Sequence, residues 1–323
     1  MIHRSINSLK ALLLCSTVML AISSCLKDPI NPPIDNTVAR ARVEITDAPI
    51  DDPNVQGVFV TVVDVKIDGK SWTGFDGKTT FDLLAFQKGL TKLLGEGEID
   101  AKSYTEIVLV LDTETDVNGD SPGCYVKDNQ NVKRKLEGGS QMTIKGKGNF
   151  TTRRNETAQV VIDMDLRKSI VYQSGSSTEF KFVTDPELQA AVRVVDKTQT
   201  GTVSGDCTDG VSGSDKVIVY AYKKGSYDVS MEKFPQGASQ IQFKNAVTSS
   251  VLATNGTFNL SFLETGNYEL HFISYKVDGN GNLQAKGELQ LNVLSGTLNL
   301  LSLNVAAKAS LDMDLLVTGI AFF

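Results

Sequence analysis

Short apolar runs of period two, each closed by Gly, Asn, Asp or Pro, recur from Ala39 to the end of the chain. That pattern leaves few folds other than packed or curled β-sheet, because alternate side chains of a strand face opposite sides and only one side needs burying. The clearest case lies at 256–272. Phe258, Leu260 and Phe262 alternate with Thr257, Asn259 and Ser261, Glu264–Asn267 supplies a turn, and Tyr268, Leu270 and Phe272 alternate with Glu269 and His271.

Further strands are expected at Val217–Tyr222, Glu288–Leu294, Leu298–Val305 and Leu311–Val317. Together they make the part from residue 198 to 323 a small sandwich of about seven strands. Upstream, Val43 and Ile45 alternate with Glu44 and Thr46, Val55–Ile67 holds six Val, and Thr105–Leu111 is nearly continuous aliphatic, as a central strand would be. Strands are also expected at Gln141–Ile144, Ala158–Met164, Ser169–Tyr172, Glu179–Val183 and Ala190–Val195. Leu83, Leu84, Leu90, Leu93 and Leu94 alone have helical spacing, which predicts one amphipathic helix interrupted by Gly89. At 323 residues the chain divides into two domains. The expectation is therefore a mainly β protein of two tandem sandwich-like domains, at 39–197 and 198–323, the first with one short helix.

The N-terminus is an address. Arg4 and Lys10 precede the mainly apolar stretch Ala11–Ile22, too short to span ~30 Å of hydrocarbon. Ile22-Ser-Ser-Cys25 has the small residues and the Cys of a lipoprotein cleavage site, so residues 1–24 read as a signal peptide and Cys25 as the lipidated first residue. Residues 25–38, with Pro29, Pro32 and Pro33, form a stiff tether. Lys27-Asp28 is similar to the signals that send Gram-negative lipoproteins to the outer membrane, on its periplasmic side or at the cell surface. Cleavage removes two bases from a chain of formal charge −6, leaving −8, and one of its two His. Such a balance offers nothing to a phosphate backbone, so no nucleic-acid partner is expected.

Several stretches carry a family likeness. Val43-Glu-Ile-Thr-Asp-Ala-Pro49, Val58–Val65, Trp72, Phe81-Asp-Leu-Leu84, Tyr104–Val110 and Ile162-Asp-Met-Asp-Leu-Arg-Lys-Ser169 resemble, in order, a family of bacterial lipoprotein domains of unknown function, over about 40–197. That family carries Asp-Phe-Asp where this chain has Asp163-Met164-Asp165. Thr200–Gly205, Val217–Tyr222 and Asn255–Leu270 are similar to the transthyretin-like or carboxypeptidase-regulatory-like sandwich. The resemblances imply location and architecture, and neither brings a catalytic residue set.

Reactive residue types are scarce. His271, the one His left after cleavage, sits in mid-strand beside Glu269 and reads as a solvated surface residue. Cys124 and Cys207 lack zinc spacing and lie in polar, turn-like stretches where they could pair outside the cytoplasm. Asp116, Asn118 and Asp120 alternate as calcium ligands do, but Gly119 occupies the fourth position of such a loop and Lys127 the twelfth, so a tight Asn-Gly turn is the favoured reading. Asp163 and Asp165 share one strand face, as do Asp312 and Asp314. With Glu106, the first pair are the candidates for carboxylate chemistry, against a plain reading as a solvated face. Trp72 is a candidate for stacking on a sugar, against burial in the core, and Tyr220, Tyr222, Tyr227 and Tyr275 could form an aromatic patch. The expected function is a lipid-anchored, non-catalytic binding or adhesion module for glycan or protein that needs no cofactor. The alternatives are a carboxylate-dependent polysaccharide hydrolase and a structural subunit of an envelope assembly.

Overall fold

A computed structural model describes residues 37–48, 50, 52–173, 176, 178–279, 282–294 and 298–323, and counts of elements refer to these residues. The signal peptide, Cys25 and most of the tether lie outside them. The first domain contributes strands β1 (Val38–Ala48), β2 (Val55–Ile67), β3 (Lys70–Ser71), β4 (Thr79–Asp82), β5 (Lys92–Asp100), β6 (Ser103–Asp112), β7 (Tyr125–Asp128), β8 (Lys133–Glu137), β9 (Gln141–Thr151), β10 (Thr157–Asp165), β11 (Ile170–Tyr172), β12 (Phe180–Phe182) and β13 (Val192–Asp196). Two short helices, α1 (Leu166–Ser169) and α2 (Asp185–Ala191), flank β11 and β12.

These thirteen strands form one sheet in the order β11, β12, β8, β7, β2, β6, β9, β13, β10, β1, β5, with β3 and β4 both on β2. Most neighbours are antiparallel, but β1 runs parallel to β10, β12 to β8 and β13 to β9. The core gathers Ile45, Val62, Leu83, Leu94, Ile107 and Leu111, each exposed by 1% or less. The sheet curls until β5 meets the chain just after β3, where Phe75 bridges Gly95 and the Trp72 indole donates to the Glu98 carbonyl at 2.9 Å. This closure needs glycine, since a Cβ at Gly95 would lie 2.0 Å from the Gly74 carbonyl and one at Gly97 2.4 Å from the Gly74 Cα. Trp72 is thereby a core residue, 7% exposed, and not the exposed sugar platform considered above.

The expected helix at Leu83–Leu94 is cut short. Asp82 caps a single 3-10 turn at Leu83–Phe86, and Lys88 and Gly89 then take positive φ, which ends it. Leu93 and Leu94 instead enter β5, where Leu93 pairs with Glu44 of β1. Their leucine spacing fits either element, and pairing with β1 decides between them.

The second sheet holds β14 (Thr200–Thr208), β15 (Lys216–Lys223), β16 (Thr248–Val251), β17 (Thr257–Glu264), β18 (Gly266–Val277), β19 (Leu283–Val293), β20 (Leu303–Val305) and β21 (Ser310–Phe322). Its order is β16, β15, β18, β19, β21, β14, β17, with β20 on β18. The two ends of that order come together, Asn259 of β17 donating its N–H to the Ser250 hydroxyl of β16 at 3.2 Å, so the sheet is nearly closed and barrel-like. The alternation predicted for Phe258, Leu260 and Phe262 places all three in the buried set. Asp312 and Asp314 face solvent on β21, as expected.

In β18 the run Tyr268–Tyr275 is buried on both faces. The 224–247 connection between β15 and β16, which carries the short helix α3 (Val229–Glu232), lies over its outer face. Tyr220, Tyr222, Ile273 and Tyr275 pack there against Phe243 and Ala246. The tyrosines are therefore a second small core and not a surface patch. His271 is likewise no surface residue: it is 6% exposed, stacks on Tyr227 at 3.6 Å between ring centroids, and its Nδ1 lies 2.6 Å from the Glu288 carboxylate. No helix of the described residues is long and apolar enough to cross a membrane.

Candidate functional site

Residues 37–323 form one compact unit, in which the two sheets of the expected domains meet around the segment that follows β10. Asp163 and Asp165 do share a strand face, but that face is buried, each residue being 4% exposed. Asp163 accepts two bonds from Arg193, at 2.9 and 2.5 Å, across the β10–β13 pair. Asp165 holds Arg167 at 3.2 Å and Lys168 at 3.1 Å. Each of these cations then donates to a main-chain carbonyl of the second domain: Arg193 to Phe262 at 2.8 Å, Arg167 to Gln242 at 2.7 Å and Lys168 to Ala246 at 2.7 Å. Charges taken out of water need partners of this kind. Burial pushes the Lys168 ammonium below its usual pKa, and the Asp165 carboxylate opposes that shift.

Asp47, at the end of β1, lies close to both acids. Its carboxyl accepts the Leu166 N–H at 3.1 Å and the Gln87 amide at 3.2 Å, yet burial, reinforced by the Asp165 and Asp163 charges, pushes its pKa well up. Beside it is a polar cavity of about 20 Å³, lined by Thr46, Asp163, Ser249 and Ser261 among others. That volume holds about one water. On the other flank, Glu187 of α2 accepts the Ser239 N–H at 3.2 Å, the Ser239 hydroxyl at 2.6 Å and the Thr184 hydroxyl at 2.8 Å, with Lys244 at 3.5 Å. Burial raises this carboxyl, but the Ser239, Thr184 and Lys244 contacts outweigh it and hold the pKa at about 2.

Beside the joint a cleft of about 900 Å³ opens between the domains. One wall is the β11–β12 hairpin with Asp52 and Pro53, and the other is residues 235–242 with Asn282–Gln284. Tyr172 is half-buried there, its ring tilted against Phe180 at 4.5 Å. The outer edge of β11 has no strand beside it among the described residues. The opposite wall is rich in amides. Gln240 donates to the Gly237 carbonyl at 2.8 Å, Gln242 to that of Lys233 at 2.7 Å, and Asn282 and Gln284 both to Asp278 at 3.4 Å.

The other residues singled out in the sequence lie apart from this cleft. Cys124 and Cys207 are free and buried, one in the core behind each sheet, and the pairing considered for them is not made. Burial pushes their thiols up to about 11 and about 12. The Asp116 carboxylate accepts the Asn118 and Asp120 N–H groups at 2.8 and 2.9 Å, which closes the loop as a turn around its own main chain. Glu106 of β6 is separated from Asp163 of β10 by β9 and β13. Three strand spacings of ~4.8 Å are beyond the ~5–9 Å that a glycosidase pair spans.

Sequence reasoning missed Arg167, Lys168, Glu187 and the amides of 240–242 as contributors. The basic pair Arg167-Lys168, one residue after Asp163-Met-Asp165, was one available signal. The other was the length of the 224–247 connection, because long connections in compact domains usually have work to do.

A mainly β protein of two sheets, with a cleft between them, is thus the class that fold and site define. Residues 38–183 match the family model described as Domain of unknown function (DUF4382). No curated protein matches the chain. Among solved structures, the Bacillus anthracis TIE protein is similar at 10% identity and a TM-score of 0.19 over 86% of this chain, which spans only 34% of that one. BcpA, the major pilin subunit of Bacillus cereus, is similar at 10% identity and a TM-score of 0.19, over 87% of this chain and 71% of that one. The major pilin protein T-13 of Streptococcus pyogenes is similar at 10% identity and a TM-score of 0.17, over 87% and 96%. Likenesses of that order leave the function to be argued from the chain's own residues.

Proposed function

We propose that this chain is a lipid-anchored protein of the bacterial cell envelope, non-catalytic, which holds a ligand in the cleft between its two β domains. The observation that carries this reading is the cleft itself: at about 900 Å³ it sits at a domain interface, where binding sites concentrate, and mixes apolar and hydrogen-bonding side chains. Support also comes from the fate of the acids that a hydrolase would need. Asp163 and Asp165 are tied to Arg193, Arg167 and Lys168, and Glu106 stands three strands away. The anchor rests on Arg4, Lys10, the apolar stretch to Ile22 and Cys25, and placement at the outer membrane on Lys27-Asp28. The transthyretin-like reading of 198–323 belongs to the same proposal.

Cell fractionation tests the anchor: the native chain is expected in membranes and Cys25→Ala in the soluble fraction, and retention of the variant in membranes would overturn lipidation at Cys25. Polysaccharide turnover that disappears in a folded Asp163→Asn variant would overturn the non-catalytic reading.

A further inference from the structure

We propose that the ligand of this cleft is a neutral oligosaccharide, taken up by the amide wall of the second domain and the Tyr172 ring of the first. This inference rests on the cleft being the ligand site. Its first support is the polarity of the hydrogen-bonding groups. Gln240, Gln242, Asn282 and Gln284 each commit an N–H to the protein, to Gly237, Lys233 and Asp278. Each amide also carries a carbonyl oxygen and a second N–H, so this wall brings acceptors as well as donors to the cleft. Hydroxyl groups both donate and accept and so satisfy such a wall, whereas carboxylate or phosphate groups only accept and would meet the carbonyl oxygens unfavourably.

Charge around the cleft points the same way. An anionic glycan needs a cluster of unspent cations, but Arg167 is committed to Asp165 and to the Gln242 carbonyl, which leaves the exposed Lys181 as a single cation of the lining. Asp52 adds a negative charge at the rim, beside the Tyr172 hydroxyl. Tyr172 meanwhile offers a half-buried ring, steadied by Phe180, against which the apolar face of a pyranose can lie.

An extended peptide is the competing occupant, through strand addition to β11. That edge is three residues long, and the Ile170 N–H is already returned to the Leu166 carbonyl. Short edges of this kind discourage added strands. The saccharide therefore fits the observed groups better.

The test uses the full chain in detergent micelles on an array of neutral hexose and pentose polymers, uronate- and sulfate-bearing glycans, and extended hexapeptides of alternating Val and Thr. Binding of at least one neutral polymer is expected, weakened at least tenfold in Tyr172→Ala and in Gln284→Ala. Asp312→Ala, on the solvent face of β21, should bind as the native chain does, and unchanged unfolding midpoints confirm that the variants fold. Binding of acidic glycans or of the peptides, but of no neutral polymer, with loss in the same variants, would overturn the ligand class and leave the cleft standing. The absence of any binding that these variants alter would overturn both.

Discussion

Replacing Glu187 by Gln should loosen the joint by an amount that depends on pH. In the native chain this carboxylate receives three donors at 2.6 to 3.2 Å and faces Lys244 at 3.5 Å. The gap between a folded pKa of about 2 and an ordinary value of 4.5 sets a ceiling of about 3.5 kcal/mol, at ~1.4 kcal/mol per pH unit. Solvent at the edge of the joint and the bonds that Gln can still make lower the expected loss to about 2 kcal/mol. Because the folded pKa is depressed, the stabilisation is complete above about pH 5 and is lost as pH falls through 4.5 toward 2. Urea unfolding of both proteins at pH 7 and at pH 2.5 measures this, with the difference expected to shrink at least twofold at the lower pH. A penalty under about 0.5 kcal/mol at pH 7, or one that pH does not change, would refute the assignment of Glu187 as an ionised clasp.

Asp47 should behave in the opposite sense. Its raised pKa means that burying the ionised form costs stability at neutral pH and that the cost disappears on acidification, so Asp47→Asn is expected to stabilise the protein at pH 7 by about 1 kcal/mol, less at pH 4, in the same urea assay. The two buried thiols should resist iodoacetamide in the native protein at pH 8, where burial keeps them protonated, and both should react after unfolding in urea. A mass spectrum of the unreduced protein showing a Cys124–Cys207 bond would contradict the separation of the two cores.

The β architecture was legible because alternation survives without knowledge of partners. Phe258 and Leu260 needed only their own spacing to be assigned inward, whereas Phe262 takes positive φ and is buried against Val161 and Val195 of the first sheet, Leu263 entering the second core in its place. What the sequence could not reveal was which polar faces are covered. Glu269 and His271 look like a solvent face when β18 is considered alone, yet Tyr222 and Tyr220 of β15 lie opposite them, and the 224–247 connection closes over all four. Two tyrosines alternating into the polar face of a neighbouring strand were the available sign, but it needed the strand register, which spacing within one strand does not supply. The same blindness affected Asp163 and Asp165. Alternation placed both carboxylates on one face correctly, while Arg193, the partner of Asp163, comes from a strand some thirty residues later and the carbonyl groups that complete the network belong to the other sheet and its connections. The cleft was least legible, since each of its walls comes from a different domain.

The chemistry of the joint bears on how such a cleft can diversify. Arg193, Arg167 and Lys168 grip the second domain through the carbonyls of Phe262, Gln242 and Ala246, which are main-chain groups that any residue provides. The joint uses few side chains of that segment: Ser239 and Lys244, held by Glu187, and Ile241, packed into the first core. Gln240 and Gln242 can change without loosening the domains, although they occupy the stretch that the cations hold in place. An arrangement of this kind separates the fixing of the cleft wall from what the wall presents: buried charge from the first sheet sets its position, and Gln240 and Gln242 are presented by side chains that the joint does not use.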